Sequence, residues 1–127
     1  MGIINLTPDS FSDGGKFLSV EKTLNHIHKL VTKGCDFIDL GAESSRPGAK
    51  AITIEEEWAR LEPIFYKLSK LDLNKTEVSL DSRNSKTILK ACASGSINLI
   101  NDVNGVQSKD VLQECLETAK SKGVSLK

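Results

Sequence analysis

The chain has 127 residues and a mass of 13.8 kDa, with 39% hydrophobic and 27% charged residues, which suits one ordinary domain or part of a larger one. Seventeen Lys plus Arg offset seventeen Asp plus Glu, so no global field draws the chain to phosphate backbones or anionic lipid. No stretch approaches the roughly 20 apolar residues of a membrane span, so nucleic-acid and membrane roles are set aside.

The first ten residues, MGIINLTPDS, lack a basic n-region and turn polar at Asn5, so the apolar run is too short for a signal-peptide core and the expected location is the cytoplasm. Cys35, Cys92 and Cys115 are odd in number and form no Cys-x-x-Cys or Cys/His pairing, which predicts buried thiols rather than zinc or disulfides. His26 and His28 fall two apart in a helical segment, so their side chains diverge instead of forming a metal pair.

In chain order, short branched apolar runs alternate with segments of helical period: GIINL at 2–6, a helix over 19–33, CDFIDLG at 35–41, a helix over 53–71, EVSLD at 77–81, a helix over 84–94, INLIND at 97–102, and a helix over 108–122. Val20, Leu24, Ile27 and Val31 share one helical face, as do Ile54, Trp58, Leu61, Phe65 and Leu68. Thr53 with Glu56 forms a capping-box pattern, and Gly34 and Gly95 stand where left-handed residues end helices. Strands apolar on both faces and joined by helix-length connections predict a parallel sheet. A doubly wound sheet fits this length, and so does half of a (β/α)8 barrel, which needs about 250 residues in full; periodicity does not choose between them. No Gly-rich dinucleotide fingerprint or phosphate loop follows the first strand, so nucleotide-cofactor readings weaken.

Asn5, Glu43, Asp81 and Asn101 fall at the carboxyl ends of the four predicted strands, the edge where parallel α/β folds gather their ligands. After the first strand, TPDSFSDGG carries one aromatic, Phe11, among polar neighbours, the pattern of a loop that closes over a ligand. After the second, ESSRPGAKA sets Arg46 between hydroxyls and a Pro-Gly turn, a combination suited to gripping an anion.

These segments resemble the dihydropteroate synthases of folate biosynthesis: GIINLTPDSFSDGG at 2–15, GCDFIDLGAESSRPGA at 34–49, VSLDS around Asp81, and INDVNG at 100–105, all in family order and together spanning nearly the whole chain. The resemblance implies a (β/α)8 barrel of the TIM type, of which residues 1–127 are the amino-terminal half, about four βα units with parallel strands. The implied reaction joins para-aminobenzoate to 6-hydroxymethyl-7,8-dihydropterin pyrophosphate, releasing pyrophosphate and forming 7,8-dihydropteroate with Mg²⁺ assistance. By the same resemblance, Asn5 and Asp13 hold the metal, and Phe11, Ser45, Arg46 and Pro47 lie beside aminobenzoate and pyrophosphate. Asp81, Asn101 and Val103 contact the pterin, with Asp81 and Arg46 in the catalytic roles.

Departures within the motifs are mild: Ala42 replaces a glycine, and Ser45 and Ser82 each replace a threonine while keeping its hydroxyl. The sequence stops at GVSLK, where a fifth strand is expected, and the family's later aspartate, lysine and arginine–histidine pair have no counterpart. The expectation is an enzyme by family that is inactive as these residues alone. A complementary carboxyl-terminal half or a second copy would then cover two open strand edges and an apolar interior face. A non-catalytic half-barrel that binds pterin or a partner is the alternative. A pterin-dependent methyltransferase fits less well, because that reaction has no diphosphate for the ESSRPG loop to grip.

Overall fold

The computed structural model describes residues 1–7, 15–44, 47–102 and 109–127. The βα alternation holds: β1 (Gly2–Asn5), α1 (Gly15–Thr32), β2 (Phe37–Gly41), α2 (Ile54–Leu68), β3 (Glu77–Asp81), α3 (Ser85–Ser94), β4 (Leu99–Asn101) and α4 (Lys109–Ser121). All pairings are parallel and the strand order is β1-β2-β3-β4. Each strand therefore lies beside its predecessor in sequence, with no reversal of order. A doubly wound sheet reverses at a switch point, whereas a (β/α)8 barrel adds strands in one direction, and the observed order is that of the barrel.

Capping explains several boundaries. At the start of α2, the Thr53 hydroxyl accepts from the Glu56 N–H at 3.1 Å and the Glu56 carboxylate accepts from the Thr53 N–H at 3.1 Å, the reciprocal bonds that its sequence predicted. Gly34 and Gly95 follow α1 and α3 at φ of 76° and 70°, where a β-carbon would be strained. Two helix limits differ from expectation by more than one residue. α1 begins at Gly15 instead of 19, a turn before its apolar periodicity becomes visible, and α2 stops at Leu68 because Ser69, Lys70 and Leu71 tighten into a turn.

The core lies between one face of the sheet and the helices. Ile4, Ile38, Leu40, Val78 and Leu80 alternate onto that face and pack with Ile27 and Val31 of α1, Leu61, Ile64, Phe65 and Leu68 of α2, Ile88, Ala91 and Cys92 of α3, and Cys115 of α4. Val20, Leu24 and Trp58 pack against this cluster from its margin.

The opposite face corrects one expectation. It was predicted to be apolar, yet alternation places Asn5, Asp39, Ser79, Asp81 and Asn101 there, alongside Ile3, Phe37 and Leu99. Most of the branched residues that made the strands look apolar throughout belong to the helix-covered side. Beyond β4, the Lys127 N–H donates to the Asn98 carbonyl at 2.7 Å and its carbonyl accepts from the Ile100 N–H at 3.1 Å, the bonding pattern of a parallel ladder.

Candidate active site

At the carboxyl edge of the sheet, register aligns Asn5 with Gly41, Gly41 with Asp81, and Asp81 with Asn101. Three polar side chains and one glycine thus form a single row across four strands. Glu43, expected in this row, lies two residues past the end of β2, and Gly41 takes its place. The absence of a β-carbon at Gly41 has a definite effect. A β-carbon built there would stand 3.4 Å from Asp81 Oδ2 and 3.6 Å from Asn5 Oδ1, so the amide and the carboxylate both lean over the glycine.

Asp81 sits among carboxylates. Burial pushes its pKa above the usual 3.8, and the negative charges of Asp39, Asp102, Glu57 and Glu43 push the same way. Beside it, the Asn101 amide donates from Nδ2 to Asp39 Oδ2 at 3.1 Å. Asp39 and Ser79 are buried, and Asp39 Oδ1 and Ser79 Oγ have no hydrogen-bond partner among the described residues.

The helix behind this edge supplies residues that the sequence reading passed over. Glu57, fully buried on α2, accepts from Ser82 Oγ at 2.7 Å, Asn84 Nδ2 at 2.6 Å and Thr87 Oγ1 at 2.7 Å, tying down the turn that follows Asp81. The Ser82 hydroxyl is thus one of three donors to this carboxylate. One turn along α2, Arg60 Nη1 donates to the Ala42 carbonyl at 2.8 Å and, at 3.5 Å, to that of Leu6. It therefore grips the chain where it leaves β1 and β2. Glu43 is held by Arg83 through two bonds of 2.7 and 3.1 Å, and this pairing holds the guanidinium more firmly protonated. A cavity of about 250 Å³ opens beside this pair, lined by Glu43, Ser44, Ala49, Asp81, Ser82 and Arg83 among others.

One signal for Glu57 was present in the sequence: it falls on the same stripe as Ile54, Leu61, Ile64 and Leu68, a charge where α2 is otherwise apolar. Of the predicted site residues, Asn5, Asp81 and Asn101 converge in the row, while Pro47 is exposed in a turn outside it. Phe11, Asp13, Ser45, Arg46 and Val103 lie outside the described residues. Among the described residues, no group of three or more His, Cys, Asp or Glu converges as a metal cage. Mg²⁺ does not need one: it keeps several waters and leans on one or two hard oxygen donors plus substrate oxygens, a set that the Asn5 amide and a neighbouring carboxylate can provide.

A parallel half-barrel with a polar row at its strand ends is the arrangement of an α/β-barrel enzyme. The chain belongs to the pterin binding enzyme family, whose model matches residues 1–126. It is 42% identical over 114 residues to a dihydropteroate synthase of Neisseria meningitidis serogroup C, covering 89% of this chain and 39% of that protein. Among solved structures, the dihydropteroate synthase of Anaplasma phagocytophilum with bound 6-hydroxymethylpterin-monophosphate superimposes with a TM-score of 0.77 at 44% identity, over 89% of this chain and 43% of that one. The Xanthomonas albilineans dihydropteroate synthase with 4-aminobenzoic acid gives a TM-score of 0.77 at 38% identity, over 92% and 42% of the respective chains. The chain thus spans about two fifths of the length of these relatives and has the fold of the first four βα units of their barrel. No helix among the described residues is long and apolar enough to cross a membrane.

Proposed function

We propose that these residues carry the β1–β4 share of a dihydropteroate synthase site, acting in the cytoplasm on 6-hydroxymethyl-7,8-dihydropterin pyrophosphate and para-aminobenzoate. The observation that carries this reading is the aligned row of Asn5, Gly41, Asp81 and Asn101, with its gap over the glycine. Asp81, Asn101 and Val103 would contact the pterin, and Gly41 leaves room between amide and carboxylate. Asn5 and Asp13 would hold Mg²⁺, which when bound offsets charge on the diphosphate. Arg46, whose guanidinium suits paired N–H bonds to an anion, would bind the same diphosphate, and Phe11, Ser45 and Pro47 would contact the substrates.

In the reaction, the bond from the pterin methylene carbon to the diphosphate oxygen breaks and its electron pair leaves with pyrophosphate. The arylamine nitrogen then bonds to that carbon and releases a proton to solvent. Asp81 would stabilise the positive character that develops on the pterin. An aromatic amine is neutral at pH 7, so no base is needed to prepare the nucleophile.

Calorimetric titration with 6-hydroxymethylpterin tests the reading. Asp81→Asn should weaken binding roughly ten- to hundredfold, the worth of a charge-assisted hydrogen bond. Equal affinities would remove Asp81 from the site. The 127-residue chain alone should form no dihydropteroate until a separately expressed carboxyl-terminal half is added, and turnover without that half would overturn this part of the proposal.

A further inference from the structure

Asp39 is an expensive residue to keep. It lies in the middle of β2 and is 5% exposed, with one carboxylate oxygen lacking any partner among the described residues. Burying a carboxylate this way opposes folding, and an apolar side chain of similar size would serve the sheet better. Its other oxygen makes a long-range bond: β2 and β4 are not neighbours, and the bond to Asn101 Nδ2 spans β3, which separates them. The β3 residue in register with Asp39 is Ser79, small enough to let the two side chains meet above it.

We propose that Asp39 is a positioning residue that fixes which way round the Asn101 amide faces. A carboxylate oxygen only accepts, so the Asn101 NH₂ group is committed to Asp39 and its carbonyl oxygen is the end turned away. Amide oxygen and nitrogen are nearly the same size, so without this anchor either end could face a ligand. With it, Asn101 presents an acceptor beside Asp81, and the ligand must bring an N–H donor to that point. Rejecting heterocycles that present an acceptor there is specificity by an unpaired polar group. The inference rests on the pterin reading above for its ligand, while the orientation of the amide does not.

The first test is calorimetric titration with 6-hydroxymethylpterin. Asp39→Leu removes the anchor without leaving a buried charge, and its melting curve confirms the fold. It should bind about tenfold more weakly, the loss of one oriented hydrogen bond. Asp39→Asn retains a carbonyl oxygen for Asn101 and should restore affinity close to wild type. The double variant Asp39→Leu/Asn101→Ala should bind no more weakly than Asn101→Ala alone, because Asp39 acts through Asn101. Undiminished binding by Asp39→Leu, an equal loss in Asp39→Asn, or additive losses in the double variant would each overturn the proposal. The second test needs no ligand. By NMR, the Asn101 side-chain amide protons should exchange with solvent more slowly than those of exposed Asn25 in wild type and Asp39→Asn, and lose that protection in Asp39→Leu. Unprotected Asn101 protons in wild type overturn the proposal. Failure of wild type to bind the pterin would count against the functional reading instead, and the exchange measurement would then decide the role of Asp39 by itself.

Discussion

The Ser82 hydroxyl donates to Glu57 Oε1 at 2.7 Å, so the residue after Asp81 is fastened to a buried carboxylate on the helix behind it. Together with Asn84 and Thr87, it gives Glu57 only neutral donors. Glu57→Ala would strand three polar groups, of which Ser82 and Thr87 are buried, at about 1–3 kcal/mol for each buried group. The expected loss in urea denaturation is about 3 kcal/mol or more, against roughly 1–2 kcal/mol for Glu57→Gln, which keeps one oxygen. A loss under about 1 kcal/mol for the alanine variant would show that the network adds little.

At the start of α2, Thr53→Ala should lower stability by about 1 kcal/mol. Because the two capping-box bonds are reciprocal, Glu56→Ala combined with Thr53→Ala should be less damaging than the sum of the single variants. Strict additivity in denaturant melts would mean that the two side chains act separately.

Asp81 gives a pH dependence with a definite sign. Its folded pKa is raised above 3.8, so the folded state favours the protonated form. The stability linked to this group is present in full below pH 3.8 and is lost as pH rises through the raised value. Asp81→Asn should therefore be more stable than wild type at pH 7, and the two melting temperatures should converge below pH 3.8. A variant no more stable than wild type at pH 7 would contradict the shift. The same substitution is expected to weaken pterin binding, so stability and function should move in opposite directions.

The thiols should separate by reactivity. Burial, with Cys115 alongside, pushes the Cys92 thiol up from 9.0 to about 12, and burial raises Cys115 as well. Half-buried Cys35 donates to the Phe37 carbonyl at 3.0 Å. A disulfide reagent at pH 8 should modify Cys35 first, and Cys92 and Cys115 only on unfolding. Labelling of Cys92 in the native chain would refute its burial.

Much of the fold was legible because its signals are local. The α2 cap at Thr53, the glycines at 34 and 95, and the stripes through Ile27 on α1 and Leu61 on α2 each act within a turn or two, and each stands where the sequence placed it. The polar face of the sheet was not legible, since within FIDLG a single aspartate is outnumbered by apolar residues that point the other way. The polar row of the candidate site was legible where strand ends carry polar side chains, at Asn5, Asp81 and Asn101. Its supports were hidden because they act across distance in sequence: Arg60 on the Leu6 and Ala42 carbonyls, Glu57 on Ser82, and Asp39 on Asn101. No periodicity reports a contact between a helix and the loop of a later strand.

The strand order β1-β2-β3-β4 also bears on how the chain is made. Gly2 pairs with Ile38, Ile38 with Val78, and Ser79 with Leu99, so each strand docks on one that has already been synthesised. A doubly wound sheet leaves one edge of its first strand open until a later strand returns to flank it, whereas here every βα unit adds to the strand made just before it. Loop-closure entropy is then met in short instalments. Such a chain is suited to folding from its amino terminus as it leaves the ribosome, with one growing edge at any moment.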